Sequence, residues 1–144
     1  MARPEAWRCD PAIYPHAVVI QTRFQDLDTL GHINNVAMGA LFETARVRFN
    51  HVLGLMRFRG HRWLVAQLKM DYLAEGHHPD DVEIRSGIGD VGTRSWCVLA
   101  AAFQNGRPIA TCDVVMVMER QAEANSLPPA FRVSLAENGV RRPT

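Results

Sequence analysis

Residues 35–53, NVAMGALFETARVRFNHVL, decide the fold of this chain. Their apolar side chains recur at helical spacing along one face, at Met38, Leu41, Phe42, Ala45, Phe49, Val52 and Leu53. Asn34 or Asn35 can cap the start of this helix, and Gly54 can end it. A helix over these residues is roughly 28 Å long at 1.5 Å per residue, which is long for a chain of 144 residues.

Segments with the patterns of β-strands lie on both sides of this helix. Residues 17–24 precede it, and four strands follow at residues 63–73, 82–91, 93–104 and 107–118. The last two are apolar at almost every position, as central strands are when both faces are covered or paired in an oligomer. Asn105-Gly106 between them predicts a two-residue hairpin turn, and residues 90–93 predict another tight turn. The order predicts an α+β fold, with a five-stranded antiparallel sheet wrapped around one long helix.

Length and composition indicate one domain over residues 1–144, with its core at about 17–118. The first ~15 and last ~20 residues are proline-rich or irregular and are expected at the surface. Charged residues make up 22% of the chain and the net charge is +1, which excludes a disordered acidic chain and disfavours nucleic-acid binding. The chain lacks an apolar run of the ~20 residues that a membrane span needs, and its start lacks a signal-peptide pattern. We therefore expect a cytoplasmic protein.

The three cysteines contain no C-x-x-C pair, and their odd number does not predict a disulfide framework. Cys97 and Cys112 lie in apolar runs and are interpreted as small buried side chains. The pair His77-His78 precedes Pro79 and two aspartates, which is typical of a turn rather than of metal ligands.

The segment RFQDLDTLGHINN, residues 23–35, has the residue types of a reactive site. Asp26 and Asp28 follow a strand, and a turn containing Gly31 leads to the start of the helix. The first backbone N–H groups of a helix have no internal partners and carry partial positive charge. Such donors can stabilise an oxyanion, and a nearby carboxylate can act as base or nucleophile. Taken alone, however, a D-x-D before a helix is more often only a capping turn.

The longer motif around these two aspartates is more specific than the D-x-D pair alone. D-L-D-T-L-G-H-I-N-N, residues 26–35, followed by L-F-E-T-A-R on the helix, resembles the 4-hydroxybenzoyl-CoA thioesterase-like branch of the hotdog-fold acyl-CoA thioesterases. KMDYL at 69–73 and GTRS at 92–95 resemble later segments of that family. The resemblance spans roughly residues 17–118. It implies a hotdog fold and hydrolysis of an acyl-CoA thioester. We expect no cofactor and no metal.

Site residues are carried over from the family by position. Asp28 matches the catalytic carboxylate, which would attack the thioester carbonyl or activate a water; both roles stay open. Asn35 matches the residue whose backbone N–H faces the thioester carbonyl. Gly31 matches the turn glycine that lets the chain pass close to substrate. His32 either supports catalysis near the thioester or holds the turn. Some hotdog thioesterases act through this histidine and an asparagine two residues before it. Here that position is Leu30, so the sequence does not favour their Asn–His mechanism.

Further residues are assigned from their surroundings in the sequence. The phosphates of CoA require cations, for which Arg94 is the first candidate and Arg59 and Arg62 are the next. Asp26 is expected to hold the turn, and Glu43 to pair with Arg46. Four apolar side chains are candidate walls of the acyl pocket: Met38, Phe42, Trp63 and Leu64.

The family resemblance also implies a homodimer or homotetramer, because a single hotdog subunit leaves a sheet edge and part of its active site open. A hotdog protein that binds an acyl-CoA or another acyl ligand without hydrolysing it is the main alternative function. A hydratase ranks last, because that branch carries a proline between its Asp and His and residues 28–32 do not.

Overall fold

A computed structural model describes residues 3–58, 60–119 and 125–144. Its helices and strands follow one another along the chain as β1 (His16–Ile20), α1 (Asn35–Leu53), β2 (Trp63–Tyr72), β3 (Val82–Val91), β4 (Ser95–Gln104), β5 (Arg107–Met118) and α2 (Pro129–Glu137). Among the described residues, no helix is both long and apolar enough to cross a membrane.

Helix α1 has the predicted bounds, and local contacts explain both ends. The Asn34 side chain accepts a hydrogen bond from the backbone N–H of Ala37 at 2.8 Å, which is the expected N-cap. Gly54 ends the helix in the left-handed conformation, with φ of 77°. The predicted apolar face is buried from Met38 to Leu53, apart from Val52, which is about half exposed.

The five strands form one antiparallel sheet in the order β1-β3-β4-β5-β2. Asn105 and Gly106 connect β4 and β5 with φ of 50° and 77°, as a tight hairpin with two left-handed residues requires. Helix α1 packs on one face of this sheet, and together they form the main core. The fold is therefore the expected α+β hotdog, with β2 on one edge.

The opposite face of the sheet is covered by the chain's own N-terminal segment. Ile13 and Tyr14 pack on Leu99 and Phe103 of β4. Arg8 extends over the same face and forms a 2.7 Å ion pair with Asp113. Arg8, Ile13 and Tyr14 of this segment are therefore buried, although most of its other residues lie at the surface as expected, because the apolar outer positions of β4 need a cover.

Two further expectations need correction. Strand β1 ends at Ile20 rather than at residue 24, and a short 3₁₀ turn follows at Phe24–Asp26. The C-terminal segment is not irregular throughout, because α2 buries Phe131 and Leu135 against the core. The Phe131 ring lies 4.9 Å from Trp96 and 5.6 Å from Trp63, measured between ring centroids.

Candidate active site

The Asp28 side chain organises the turn that leads into α1. Its Oδ1 atom accepts hydrogen bonds from the backbone N–H groups of Leu30 and His32 at 2.9 and 3.1 Å. These bonds, with that from His32 contributing most, hold the pKa of the Asp28 carboxyl below its ordinary value. Among the described residues, Oδ2 of Asp28 has no hydrogen-bond partner. This side chain is therefore an exposed carboxylate, ionised at neutral pH, with one oxygen available.

Gly31 has the backbone conformation that this turn demands. Its φ is +79°, in the left-handed region that glycine enters without steric cost. A Cβ atom built at Gly31 would meet nothing within 4 Å. Within this chain, then, the backbone angle accounts for the glycine, rather than a close approach by a neighbouring residue.

His32 is tied to the same turn through its backbone, and its ring contacts Glu75. The His32 carbonyl accepts the Asp28 backbone N–H at 2.8 Å, so the two residues bracket the turn. Nε2 of His32 lies 3.1 Å from a carboxylate oxygen of Glu75, and the His77 ring stands edge-on to it with centroids 5.5 Å apart. These contacts fix the ring beside the turn, as expected for a supporting residue.

The N-terminus of α1 lies next to Asp28. The backbone N–H groups of Asn35 and Val36 have no acceptor among the described residues, whereas that of Ala37 is bound by the Asn34 cap. Asn35, the first residue of the helix, is exposed. Its N–H is thus a free donor at the positive end of the helix dipole.

Two clefts meet at Asp28 and Asn35, which line both of them. The larger, of about 720 Å³, is bordered by polar residues that include Arg23 and Gln25. The smaller, of about 360 Å³, runs toward the end of β2 and is lined by Met38, Tyr72 and Ala74 among others. Asp28 and Asn35 therefore stand where the two clefts meet, and both clefts combine polar and apolar walls.

Asp26 holds the turn, as the sequence predicted. Its buried carboxylate accepts the Arg23 backbone N–H at 2.8 Å and the Arg23 guanidinium at 2.9 Å. The backbone carbonyl of Asp26 also accepts the Asn34 N–H at 2.8 Å, which places the N-cap. Because these partners occupy Asp26, the available carboxylate of the D-x-D pair is Asp28.

Two of the arginines predicted to bind CoA, Arg62 and Arg94, do not join Asp28 within one subunit. Arg94 precedes β4 and Arg62 precedes β2, whereas the Asp28 turn lies near the far end of β2. Arg62 forms an ion pair with Glu119 at 3.1 Å. Strand β2 has 10 residues, so roughly 30 Å separates its two ends. Arg59 lies outside the described residues.

The two clefts are bordered by residues that sequence analysis did not assign to the site. Tyr72 and Glu75 border the smaller cleft, and Arg23 borders the larger one. Tyr72 belongs to the KMDYL segment, but only the pairing of β2 with β5 brings the end of that segment beside the helix. Of the predicted walls, Met38 borders the smaller cleft. Trp63 does not, because it packs with Trp96 at the opposite end of β2.

The fold and the match to a family model define the class of this protein. A family model matches residues 22–135, and the chain belongs to the thioesterase-like superfamily. Among solved structures it resembles the PA5185 protein of Pseudomonas aeruginosa, with 28% identity, a TM-score of 0.77 and coverage of 90% of this chain and 95% of that one.

Two further solved structures are similar to the same extent. A predicted thioesterase from Bacillus stearothermophilus shares 26% identity at a TM-score of 0.77, covering 88% of this chain and 98% of that one. A thioesterase from Thermus thermophilus, solved in complex with coenzyme A and zinc, shares 27% identity at a TM-score of 0.77, covering 90% and 98%. No curated protein matches the chain.

Proposed function

We propose that this protein is an acyl-CoA thioesterase, which hydrolyses the thioester of an acyl-CoA to a free acid and CoA. The observation that carries the proposal is the pairing of an available Asp28 carboxylate oxygen with the free N–H of Asn35 at the meeting point of two clefts. Membership of the thioesterase-like superfamily supports it. So does the CoA-bound state of the similar thioesterase from Thermus thermophilus.

The two groups have complementary roles in this proposal. The thioester carbonyl lies against the Asn35 N–H, which stabilises the oxyanion as the carbonyl carbon becomes tetrahedral. Asp28 either takes a proton from a water whose oxygen bonds to that carbon, or bonds to the carbon itself. In both routes the C–S bond breaks and CoA leaves as a thiolate that is then protonated. In the second route water afterwards cleaves the acyl–aspartyl anhydride.

In this proposal the active form of the enzyme is a dimer formed through β2. This edge strand exposes apolar side chains on both faces, with Leu64 44% and Leu68 50% exposed. An unpaired strand edge of this kind is suited to pairing with a second copy. A two-fold axis through the middle of β2 would place the start of one β2 beside the end of the other. Arg62 of the partner subunit would then approach Asp28, where it can contact the phosphates of CoA.

The test is a thiol-release assay with short, medium, long and aromatic acyl-CoAs, using wild type and Asp28→Asn. We expect the variant to lose at least about 100-fold in kcat, since the asparagine amide is neither a base nor a nucleophile. Its Oδ1 can still accept the N–H groups of Leu30 and His32, so the turn should survive. Binding of CoA should persist in the variant.

Asp81→Asn is the matched control, because Asp81 is an exposed carboxylate in the loop before β3. It should leave kcat unchanged. Full activity in Asp28→Asn would refute the assigned role of Asp28. Tight acyl-CoA binding without release from any substrate would instead select the non-hydrolytic acyl-binding function.

A further inference from the structure

Glu75, in the loop between β2 and β3, brings a carboxylate to His32 of the candidate active site. One oxygen of this carboxylate lies 3.1 Å from Nε2 of His32, which is the distance of an ion pair when the imidazole is protonated. Nε2 of His77 lies 4.0 Å from the same oxygen, so His32 is the closer partner. Both Glu75 and His32 line the smaller cleft, together with Asp28 and Asn35.

The loop that carries Glu75 is attached directly to the chain beside His32. The carbonyl of Gly76 accepts a hydrogen bond from the backbone N–H of Ile33 at 2.8 Å. The two segments are so close here that a Cβ atom on Gly76 would lie 2.7 Å from Cδ1 of Ile33. Since Gly76 follows Glu75 and Ile33 follows His32, this contact holds the two side chains next to each other.

Further hydrogen bonds fix the backbone around Glu75, although its side chain is exposed. The Glu75 carbonyl accepts a hydrogen bond from the Arg107 guanidinium at 3.0 Å. The buried Gln104 side chain binds the backbone of His77 twice: its Oε1 accepts the His77 N–H at 2.8 Å, and its Nε2 donates to the His77 carbonyl at 2.6 Å. None of these bonds uses the Glu75 carboxylate, which remains free to face His32.

The second ring nitrogen of His32 is available to a substrate. Among the described residues, Nδ1 of His32 has no hydrogen-bond partner. The contact made by one nitrogen of a histidine sets what the other nitrogen can do. With Nε2 facing Glu75, Nδ1 is the atom from which His32 can give a proton into the cleft.

We propose that His32 protonates the CoA thiolate as it leaves, and that Glu75 is the positioning residue that holds His32 for this step. This inference rests on the proposed thioesterase function. As the C–S bond breaks, its electron pair stays on sulfur, and the Nδ1–H of the imidazolium supplies the proton that makes the free thiol. Nδ1 then recovers a proton from solvent. The Glu75 carboxylate balances the positive charge of the imidazolium and fixes the orientation of the ring.

The other titratable groups that line the smaller cleft are poor donors for this proton. Two of them, Asp28 and Glu75, are carboxyl groups, which ordinarily lose their protons near pH ~4. The third is Tyr72, where burial raises the pKa of the phenol and makes it a weaker acid. His32 is the remaining titratable group in the described lining, and histidine is the side chain best suited to proton transfer near neutral pH.

The first test is a double-substitution cycle in the thiol-release assay, with the acyl-CoA that wild type hydrolyses fastest. We expect His32→Gln to lower kcat by about 100-fold, at the lower end of what general acid–base catalysis contributes. Glu75→Ala should lower kcat by about 10-fold with little change in KM, because it leaves the ring present but poorly oriented. Adding Glu75→Ala to His32→Gln should cost nothing further, since Glu75 acts through His32. Glu137→Ala, at an exposed acid on α2, is the matched control and should leave kcat unchanged.

A second substrate separates proton transfer from general damage to the site. The 4-nitrothiophenyl thioester of the same acid releases a thiolate that leaves readily without a proton. For this thioester, kcat should change little in His32→Gln and in Glu75→Ala. Glu75→Gln, which removes the charge but keeps the shape of the side chain, should show the same selective loss on the acyl-CoA.

Two outcomes would overturn the inference and leave the thioesterase function in place. One is an equal loss of kcat on the two thioesters, and the other is full activity of Glu75→Ala on the acyl-CoA. Independent losses that multiply in the double variant would refute the claim that Glu75 acts through His32. Absence of hydrolysis of every thioester by wild type would refute the proposed function itself, and this inference with it.

Discussion

At the scale of single residues, Asp28 combines two tasks. One carboxylate oxygen accepts two backbone N–H groups and thereby builds the turn, and the other has no partner among the described residues. The same hydrogen bonds lower its pKa, so the carboxylate keeps its charge well into the acidic range. A lowered pKa also makes it a weak base, so its strength in the proposed reaction depends on how the substrate is positioned against it.

The proposed oxyanion donor is the backbone N–H of Asn35, and substitution of this residue by proline removes it. Asn35 is the first residue of α1, where proline is well tolerated because its missing N–H is unpaired in any case. Asn34 already has φ of −75° and ψ of 165°, which suits a residue before proline. We expect Asn35→Pro to lower kcat by about 10²- to 10³-fold in the thiol-release assay.

Asn35→Ala is the control for this substitution, since it keeps the backbone N–H. It should retain most of the activity. Thermal unfolding of both variants should resemble that of wild type. Equal activity in the proline and alanine variants would show that the Asn35 N–H does not stabilise the transition state.

At the scale of elements, β2 is one of the two edge strands of the sheet, and it exposes more large apolar side chains than β1, the other edge strand. Leu68 lies in the middle of this strand and is 50% exposed. In the proposed dimer it would be buried near the two-fold axis. Leu68→Lys would place a charge there, and we expect a shift from dimer to monomer in size-exclusion chromatography with light scattering, together with loss of activity.

Val19→Lys is the matched control for the edge strand. Val19 is a 58% exposed residue on β1, at the opposite edge of the sheet. The substitution Val19→Lys should leave both the oligomeric state and the activity unchanged. Dissociation by Val19→Lys but not by Leu68→Lys would assign the dimer to the β1 edge.

At the scale of the whole molecule, the two terminal segments complete the core that the sheet and α1 leave open. The N-terminal segment covers the outer face of β4, and α2 closes the end where Trp63, Trp96 and Phe131 meet. The site at Asp28 lies at the other end of β2 from this aromatic cluster. The structure therefore separates the residues that stabilise the core from those proposed to react.

The aromatic cluster should account for a large part of the stability. Phe131 is fully buried among three aromatic rings, so Phe131→Ala should lower the free energy of unfolding by about 3–5 kcal/mol. Urea denaturation at fixed protein concentration measures this. Val133→Ala, at an exposed position of the same helix, should change it by less than about 0.5 kcal/mol. If both variants lowered the free energy of unfolding by similar amounts, burial of Phe131 would not be what attaches α2 to the core.

The sequence by itself determined α1, the five strands and their order, but not α2 or the end of β1. Helical spacing located α1 to the residue, and alternating or continuous apolar runs located β2 to β5 within about two residues. The turn from Asp26 to Asn34 was also predictable, because its hydrogen bonds join residues close together in the chain. Local patterns carry this information since helix periodicity, caps and tight turns depend on neighbouring residues.

Only the tertiary structure decided which distant residues share the site. It brought Tyr72 and Glu75 to the Asp28 turn and placed Arg62 and Arg94 at the other end of β2. It also showed that α2 and the N-terminal segment are packed rather than loose. These outcomes depend on strand order and on how α1 lies across the sheet, and such long-range packing leaves no periodic trace in the sequence.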